Sequence, residues 1–590
     1  MKMARIAIVD KDKCKPLMCG WACIKACPGV KMKEETIVQS EGGLFPVIDE
    51  NLCTGCGLCV KKCPFKAIKI INVAEETGTP SFQYSQNSFR LYGFVLPKEK
   101  SVVGIIGVNG IGKSTALDLL RGHLRPNFGK FREKLSFEEI KKHVRGQEIQ
   151  NYLEKIESGN VKFSHKMQNV ETLSKSRETA GALLKQCDET GKARALSGDF
   201  GLDAVADRKL STLSGGELQK VAIACSLSRK ADVYCIDEPS SYLDVSMRMS
   251  AANAIRETAE EKSVVLVEHD LTLLDYLSDY IHVMYGEKGA YGVVSGLKSS
   301  KNGVNDYLQG FLKEENTRFR PYEIKFEVRS PTAVRGKLPI AMDYPAMKKR
   351  FPGFRLEVDA GDVRENEVIG ILGANGIGKS TFVKMLAGLE SPDEDRELGH
   401  RKKISYKPQY LKSDYDGTCR DLLKKTRGLD AATLAELRDK LDIAELEDKE
   451  VRHLSGGELQ RLAIALAIST PADLYLFDEP SAFLDVEQRL NAAALLKKAV
   501  KDAGKNAFVI DHDVVFIDGV SDRLVVFEGQ PSVHGHAPKA SEMRTGMNSF
   551  LKQFGITFRR DESTGRPRAN KPGSQKDAEQ KQKGEYYYSD

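Results

Sequence analysis

Two stretches of the chain, GVNGIGKST at 107–115 and GANGIGKST at 373–381, carry glycines, a lysine and hydroxyls at phosphate-loop spacing. Glycines let backbone N–H groups close around phosphate oxygens, a lysine neutralises the outer phosphates, and a hydroxyl ligates Mg2+. The residues are Gly107, Asn109, Gly110, Gly112, Lys113, Ser114 and Thr115, then Gly373, Asn375, Gly376, Gly378, Lys379, Ser380 and Thr381. Lys113 and Lys379 are expected to reach the β- and γ-phosphates, and Ser114 and Ser380 to bind Mg2+.

Downstream, ADVYCIDEPSSYLD (231–244) and ADLYLFDEPSAFLD (472–485) each run from an apolar strand into two carboxylates. Asp237 and Asp478 suit a Mg2+ shell, while Glu238 and Glu479 suit polarisation of an attacking water. Just before them stand STLSGGELQK (211–220) and RHLSGGELQR (452–461), 23 residues from serine to aspartate in both cases (214 to 237, 455 to 478). Two further strands, VVLVEHD and AFVIDHD, end near His269 and His512.

A different chemistry occupies the N-terminus. Cys53, Cys56, Cys59 and Cys63, followed by Pro64, have the spacing of a bacterial ferredoxin run. In such a run three thiolates hold one [4Fe–4S] cluster and the fourth reaches another. Cys14, Cys19, Cys23 and Cys27 form a looser version. Two runs therefore predict two clusters with exchanged fourth ligands: Cys14, Cys19, Cys23 and Cys63 on one, Cys53, Cys56, Cys59 and Cys27 on the other. Zinc is the alternative occupant of thiolate sites. Cys187, Cys225, Cys235 and Cys419 lie scattered and are expected to be buried thiols.

The elements that must position these groups recur in order. SVVGII and EVIGIL are strands leading into the two loops, and helical patterns follow. The repeat spans about 240 residues and alternates strands with helices, so each copy is α/β. From Lys113 to Ser214 is 101 residues, whereas from Lys379 to Ser455 is 76. The first copy thus carries extra chain, and 136–156 reads as a helix–loop–helix broken at Gly146. A chain of 590 residues fits three or four domains. It has neither a long apolar span nor a secretory leader, which points to the cytosol and away from a disulfide framework. Its net charge of +6 is too mild to diagnose nucleic-acid binding. Lys61, Lys62 and Lys66, and Arg559, Arg560, Arg566 and Arg568, form basic clusters that would serve either phosphate contacts or a solvated surface.

Two ordered motif sets resemble the ATP-binding cassette family over about 450 residues. That resemblance implies two nucleotides sandwiched head to tail between the cassettes. Ser214, Gly215 and Gly216 of one LSGGE would close the site of the other cassette, and Ser455, Gly456 and Gly457 would do the reverse. It also implies catalytic roles for His269 and His512, and D-loop roles for Asp244 and Asp485. Gln409, in ISYKPQY, falls at the family's Q-loop. In the first copy a gap-free match to VKFSHKMQNVE puts Ser164 there, with Gln168 four residues on. Either Gln168 substitutes or the first site lacks that contact and turns over at its own rate.

Eight cluster cysteines fused to twin cassettes resemble something narrower, the subfamily E ribosome-recycling ATPases, or RNase L inhibitor family. The residues carrying this resemblance include NGIGKST, SSYLD, RGQEIQNYLEKI, YPAMKKRF, ITFRRD and GEYYYSD, the tail being similar to eukaryotic members. The family implies a factor that splits ribosomes into subunits with a class-1 release factor or Pelota and stays on the small subunit. It also implies contacts with rRNA and initiation factors but none with membrane. The clusters would be rigid structural parts. Tyr84, Phe89 and Tyr344 are candidates to stack on adenine.

The expected architecture is a small α+β ferredoxin-like domain (1–75) ahead of two α/β cassettes in head-to-tail arrangement (76–298 and 326–535). The first cassette has a helix–loop–helix near 136–157. Hinges at 299–325 and from 536 join them, and 571–586 reads as largely disordered. An ATP-coupled electron carrier and a soluble energising subunit of a transporter are the other functions compatible with these motifs.

Overall fold

The strands entering the two P-loops, Val102–Ile106 and Val368–Leu372, are buried at every position. Strands covered on both faces have continuous apolar sequences of this kind, because helices shield each side of a parallel sheet. The computed structural model describes residues 3–74, 78–144, 146–326, 338–394, 403–409, 413–426 and 431–587. The expected boundary at 75–76 lies outside the described residues.

The parallel core has the same order in both cassettes. In the first it runs Phe163–Lys166, Val233–Asp237, Ser263–Val267, Val102–Ile106 and Tyr280–Glu287. In the second it runs Ile404–Lys407, Leu474–Asp478, Asn506–Ile510, Val368–Leu372 and Arg523–Val526. The P-loop strand therefore lies next to the strand that leads to the histidine, and the carboxylate strand lies one further out. Chemistry collects where these strands end, as is general for open α/β sheets. The extra chain of the first cassette forms the helices Phe137–His143 and Gln147–Glu157, the first closed by a capping box between Ser136 and Glu139. Ile140, Val144 and Leu153 give them a small buried core of their own.

At the N-terminus, Met3–Val9 pairs antiparallel with Ile68–Ala74, and short helices of four or five residues carry Cys19, Cys23 and Cys59, with Cys27 and Cys63 at helix ends and the other cysteines in loops. This domain sits on the first cassette. Ile6 and Ile8 pack with Tyr92 and Ala290, and Arg90 bonds both oxygens of Glu50 at 2.7 and 2.8 Å. Lys66 meets Asp448 of the second cassette at 2.7 Å, an exposed pair of little energetic weight.

The C-terminal segment departs from expectation. Residues 571–586 are not disordered: Ser574 caps the helix Gln575–Lys583, whose Asp577 is buried and bonded to Thr557 at 2.7 Å. Arg566 and Arg568 are buried and share the carboxylate of Asp275 of the first cassette, so neither is a solvated surface cation. Tyr587 bonds Asp518 of the second cassette. One apolar cluster runs from the first cassette through Leu308, Phe550 and Phe558 into the second.

Candidate nucleotide sites and cluster ligands

Both P-loops turn into their helices through glycines at positive φ, Gly112 at +98° and Gly378 at +102°. A Cβ at Gly112 would lie 2.4 Å from the Phe89 ring, so only glycine fits. Lys113 donates to the carbonyls of Gly107 and Val108 at 2.8 and 3.0 Å, and Lys379 to those of Gly373 and Ala374 at 2.8 and 2.7 Å. Burial pushes both ammonium groups down, Lys379 to about 8.

Asp237 and Asp478 end their strands beside these lysines. Burial, reinforced by the adjacent Glu238 charge, pushes Asp237 up to about 6, and burial also raises Asp478. Both carboxylate oxygens of Asp478 are buried without a hydrogen-bond partner, and Ser380 is at hand. A buried anion with hard oxygens left unpartnered is a fitting ligand for Mg2+. The next residues, Glu238 and Glu479, each sit at φ +48°. Glu238 accepts from Gln168 at 2.6 Å and Glu479 from Gln409 at 2.7 Å. His269 Nε2 lies 3.7 Å from Glu238, and His512 Nε2 3.5 Å from Glu479. Burial strongly disfavours a charged His269. Burial also works to raise Glu479, but His512, Lys379 and Gln409 outweigh it and hold that carboxyl at about 2.

The gap-free match of Ser164 to the Q-loop glutamine is corrected by strand register. Lys166 pairs beside Ile236 and Lys407 beside Phe477, each one residue before the aspartate. Ser164 then corresponds to Ser405; their hydroxyls bond the carbonyls of Ser226 and Ala467 at 2.7 and 2.8 Å. Gln168 is the counterpart of Gln409, and the first copy has the same glutamine–glutamate contact. The residue count agrees with the register, since Gln168 to Ser214 and Gln409 to Ser455 are both 46 residues (168 to 214, 409 to 455), and only the stretch after the P-loop differs in length.

The D-loop aspartates join the halves. Asp485 accepts from the Asn109 amide of the first P-loop at 3.0 Å, and Asp244 from the Asn375 amide of the second at 2.8 Å. The other oxygen of each caps its own helix, through the amides of Gln488 and Met247. Tyr242 and Phe483 meet edge to face between them, centroids 5.8 Å apart. Gly215 and Gly216 lie against Tyr242, and Gly456 and Gly457 against Phe483. Ser214 and Ser455 cap the helices Gly215–Leu227 and Gly456–Ser469 in boxes with Glu217 and Glu458.

Of the aromatic candidates, Tyr84 is half exposed and its hydroxyl is 3.0 Å from Thr115 Oγ1. Phe89 packs beneath the loop at Gly112. Tyr344 is a core residue against Phe382 and Phe508 and cannot stack on a ligand, which corrects its candidacy. Strand pairing identifies the true counterpart of Tyr84. Gln83 pairs with Arg90, and Arg350 with Arg355, so the residues one further on are Tyr84 and Phe351. Phe351 is exposed and stacks on Phe354, which approaches Gly378 as Phe89 approaches Gly112.

Sequence reasoning also missed Lys166 and Lys407, buried lysines that bond the Asp–Glu carbonyls, and Gln219 and Gln460, which bond the glutamate carbonyl at 2.7 Å. The signal was the repeated K-x-Q of HKMQ and YKPQ and the Q of SGGELQ.

The eight N-terminal thiols are free and fall into two electrostatic neighbourhoods. Cys14 and Cys23 have Cys19 and Cys63 as charged neighbours, with Asp10 also beside Cys14, and Cys59 has Cys53, Cys56 and Cys27. Eight thiols in two runs of four are a donor set that fits two polynuclear iron–sulfur clusters.

Comparison with known proteins agrees with the geometry. The ABC transporter family model matches 96–241 and 356–482, the 4Fe-4S binding domain 46–69, and a possible Fer4-like domain in RNase L inhibitor 4–35. An uncharacterised ABC transporter ATP-binding protein of Methanocaldococcus jannaschii is 51% identical, covering 99% of this chain and 98% of that protein. The archaeal ribosome recycling factor aABCE1, solved with the ribosomal stalk protein aP1, is 50% identical with TM-score 0.82, over 88% of this chain and 100% of that one. A model of ribosome-bound archaeal Pelota and ABCE1 gives 48% identity and TM-score 0.91 over 100% of both chains.

Fold and sites together define a twin-cassette ATPase of the ATP-binding cassette class with an iron–sulfur domain at its N-terminus. It uses ATP with Mg2+ and carries two [4Fe–4S] clusters. The chain belongs to the ABCE1, or RNase L inhibitor, family. No helix among the described residues is long and apolar enough to cross a membrane.

Proposed function

We propose that this chain is an ATP-driven ribosome recycling factor. It splits ribosomes into subunits after termination or stalling, acts with a class-1 release factor or Pelota, and stays on the small subunit. The observation that carries this reading is the reciprocal D-loop contact, in which each cassette's aspartate holds the other's P-loop. Nucleotide occupancy in one half is thereby felt in the other, as a clamp requires. The full-length likeness to ribosome-bound ABCE1 supports the ribosome as the object of the clamp.

In this reading Lys113 and Lys379 leave the loop carbonyls for the phosphates. Ser114 with Asp237, and Ser380 with Asp478, would hold Mg2+, which when bound would supply charge neutralisation to the phosphates. Glu238 and Glu479, oriented by Gln168 and Gln409, polarise the attacking water, and His269 and His512 donate toward the γ-phosphate. Ser455 and Gly457 close the first site, Ser214 and Gly216 the second, each offering a helix N-terminus to an anion. Hydrolysis removes the bridging phosphate and the halves separate. The cluster domain, seated on the first cassette through Ile6, Ile8 and the Glu50–Arg90 pair, would be carried along with that cassette by such a motion.

The test is a sucrose-gradient profile of ribosomes with release factor and anaerobically prepared protein. ATP should convert ribosomes to free subunits, and the Glu238→Gln, Glu479→Gln double variant should remain bound to the small subunit. Ribosomes that stay intact in every lane would refute the reading.

A further inference from the structure

In each cassette a lysine lies directly behind the catalytic glutamate. Lys166 Nζ donates to the carbonyls of Asp237 and Glu238 at 2.7 and 3.2 Å, and Lys407 Nζ to those of Asp478 and Glu479 at 2.7 and 3.0 Å. Both side chains are 1% exposed. Alternation along Phe163–Lys166 and Ile404–Lys407 turns Ser164 and Lys166, and Ser405 and Lys407, inward. A buried ammonium is costly unless its position is repaid locally. Here it binds the two carbonyls at the point where the chain leaves the strand and the glutamate enters the left-handed region at φ +48°. That conformation is unfavourable for a non-glycine residue and persists only when its surroundings enforce it. Gln219 and Gln460 bond the same glutamate carbonyl from the signature helix, at 2.7 Å each. The carbonyl is thus gripped from two sides, and the glutamate side chain is aimed at Gln168 or Gln409 and at the histidine.

We infer that Lys166 and Lys407 are positioning residues for ATP hydrolysis: each holds the backbone turn that aims Glu238 or Glu479, and supplies a buried positive charge beneath the adjacent carboxylates. This rests on the reading of the two glutamates as the water-polarising groups. The lysine ammonium groups are bonded to backbone carbonyls and act through the glutamate. Their loss should therefore lower kcat and leave nucleotide affinity nearly intact, because the P-loop lysines, not these, face the phosphates.

The experiment uses full-length protein with its clusters and isolates one site at a time. Lys407→Met and Lys407→Arg are made in a Glu238→Gln chain, and Lys166→Met and Lys166→Arg in a Glu479→Gln chain. ATP turnover, fluorescent-ATP affinity and thermal unfolding are measured for each. Met is expected to cut kcat tenfold or more with affinity changed less than threefold, and Arg to recover part of the loss. Unchanged kcat, or a loss that follows affinity, overturns the proposal. So does unfolding of both Met variants with no difference between Met and Arg in turnover, since that marks a lysine needed only for folding. The Glu238→Gln, Glu479→Gln chain is the control. If it still hydrolyses ATP, the reading of the glutamates has failed. If it is silent while the Met variants turn over normally, the lysine proposal alone has failed.

Discussion

The carboxylate of Asp485 accepts a hydrogen bond from the Asn109 amide at 3.0 Å, across the boundary between the cassettes, while its other oxygen caps a helix through Gln488. One side chain thus serves local stability and communication between sites. Asp485→Ala should cost the second cassette about 1 kcal/mol as a lost cap. It should also uncouple the sites. In a chain whose second site is silenced by Glu479→Gln, hydrolysis at the first site should fall severalfold with Asp485→Ala, although no residue of the first cassette has changed. Steady-state ATPase assays of the two chains measure this.

Gln168 and Gln409 contact their glutamates at 2.6 and 2.7 Å. Gln168→Ala and Gln409→Ala should therefore reduce turnover at their own sites by similar factors, each about tenfold, the rate equivalent of one hydrogen bond of about 1.4 kcal/mol. Single-turnover hydrolysis with the opposite site silenced compares them directly. A first site indifferent to Gln168→Ala would revive the idea that it lacks this contact.

Tyr84 and Phe351 occupy equivalent exposed positions, whereas Tyr344 lies in the core. Ala at either of the first two should weaken nucleotide binding by a factor of about five to ten, the lower end of the range for loss of a base stack. Tyr344→Ala should leave affinity nearly unchanged and cost about 3 kcal/mol of stability, a typical figure for truncating a buried aromatic. Fluorescent-nucleotide titration and thermal unfolding separate the two effects.

Arg566 and Asp275 form a buried ion pair between the C-terminal segment and the helix Leu271–Leu277. Breaking such a pair by removing one partner leaves an uncompensated charge and costs about 3–5 kcal/mol. Asp275→Leu should destabilise strongly, because Arg566 and Arg568 then lose their carboxylate together. Adding Arg566→Met should recover part of that loss, which denaturant unfolding of the two chains would show.

Asp237 titrates near 6 in the folded chain, against an ordinary value of 3.8, because burial and the neighbouring Glu238 charge disfavour its anion. The raised value means the folded chain binds a proton that the unfolded chain does not between those two pH values. Without metal, this group's contribution to stability grows as pH falls through 6. Mg2+ needs the anion, so the thermal shift produced by Mg2+ at the first site should shrink across the same window. Unfolding scans at pH 7.5 and 5.5, with and without Mg2+, test both signs, and Asp237→Asn should abolish the difference.

The residue order alone determined the chemistry. Two P-loops, two Asp–Glu strand ends, two LSGGE serines and eight spaced cysteines are local patterns, and each names its chemistry because its spacing already brings the groups within reach of one another. The strands entering the loops were equally legible, since burial on both faces leaves a continuous apolar run. What lay beyond local spacing was decided by pairing between distant segments. Strand register replaced Tyr344 with Phe351, whereas Gln168 was already marked by its 46-residue distance to Ser214, the same as from Gln409 to Ser455. The inward alternation of an outer strand buried Lys166 and Lys407 behind the glutamates. The polar tail became a helix capped by its own Ser574 and held because its Asp577 and Gln580 bond Thr557, Phe558 and Asn570, partners that lie before the tail. Asp244 and Asp485 acquired their second role only when the cassettes met, because a hydrogen bond to another domain's amide leaves no trace in the residues on either side.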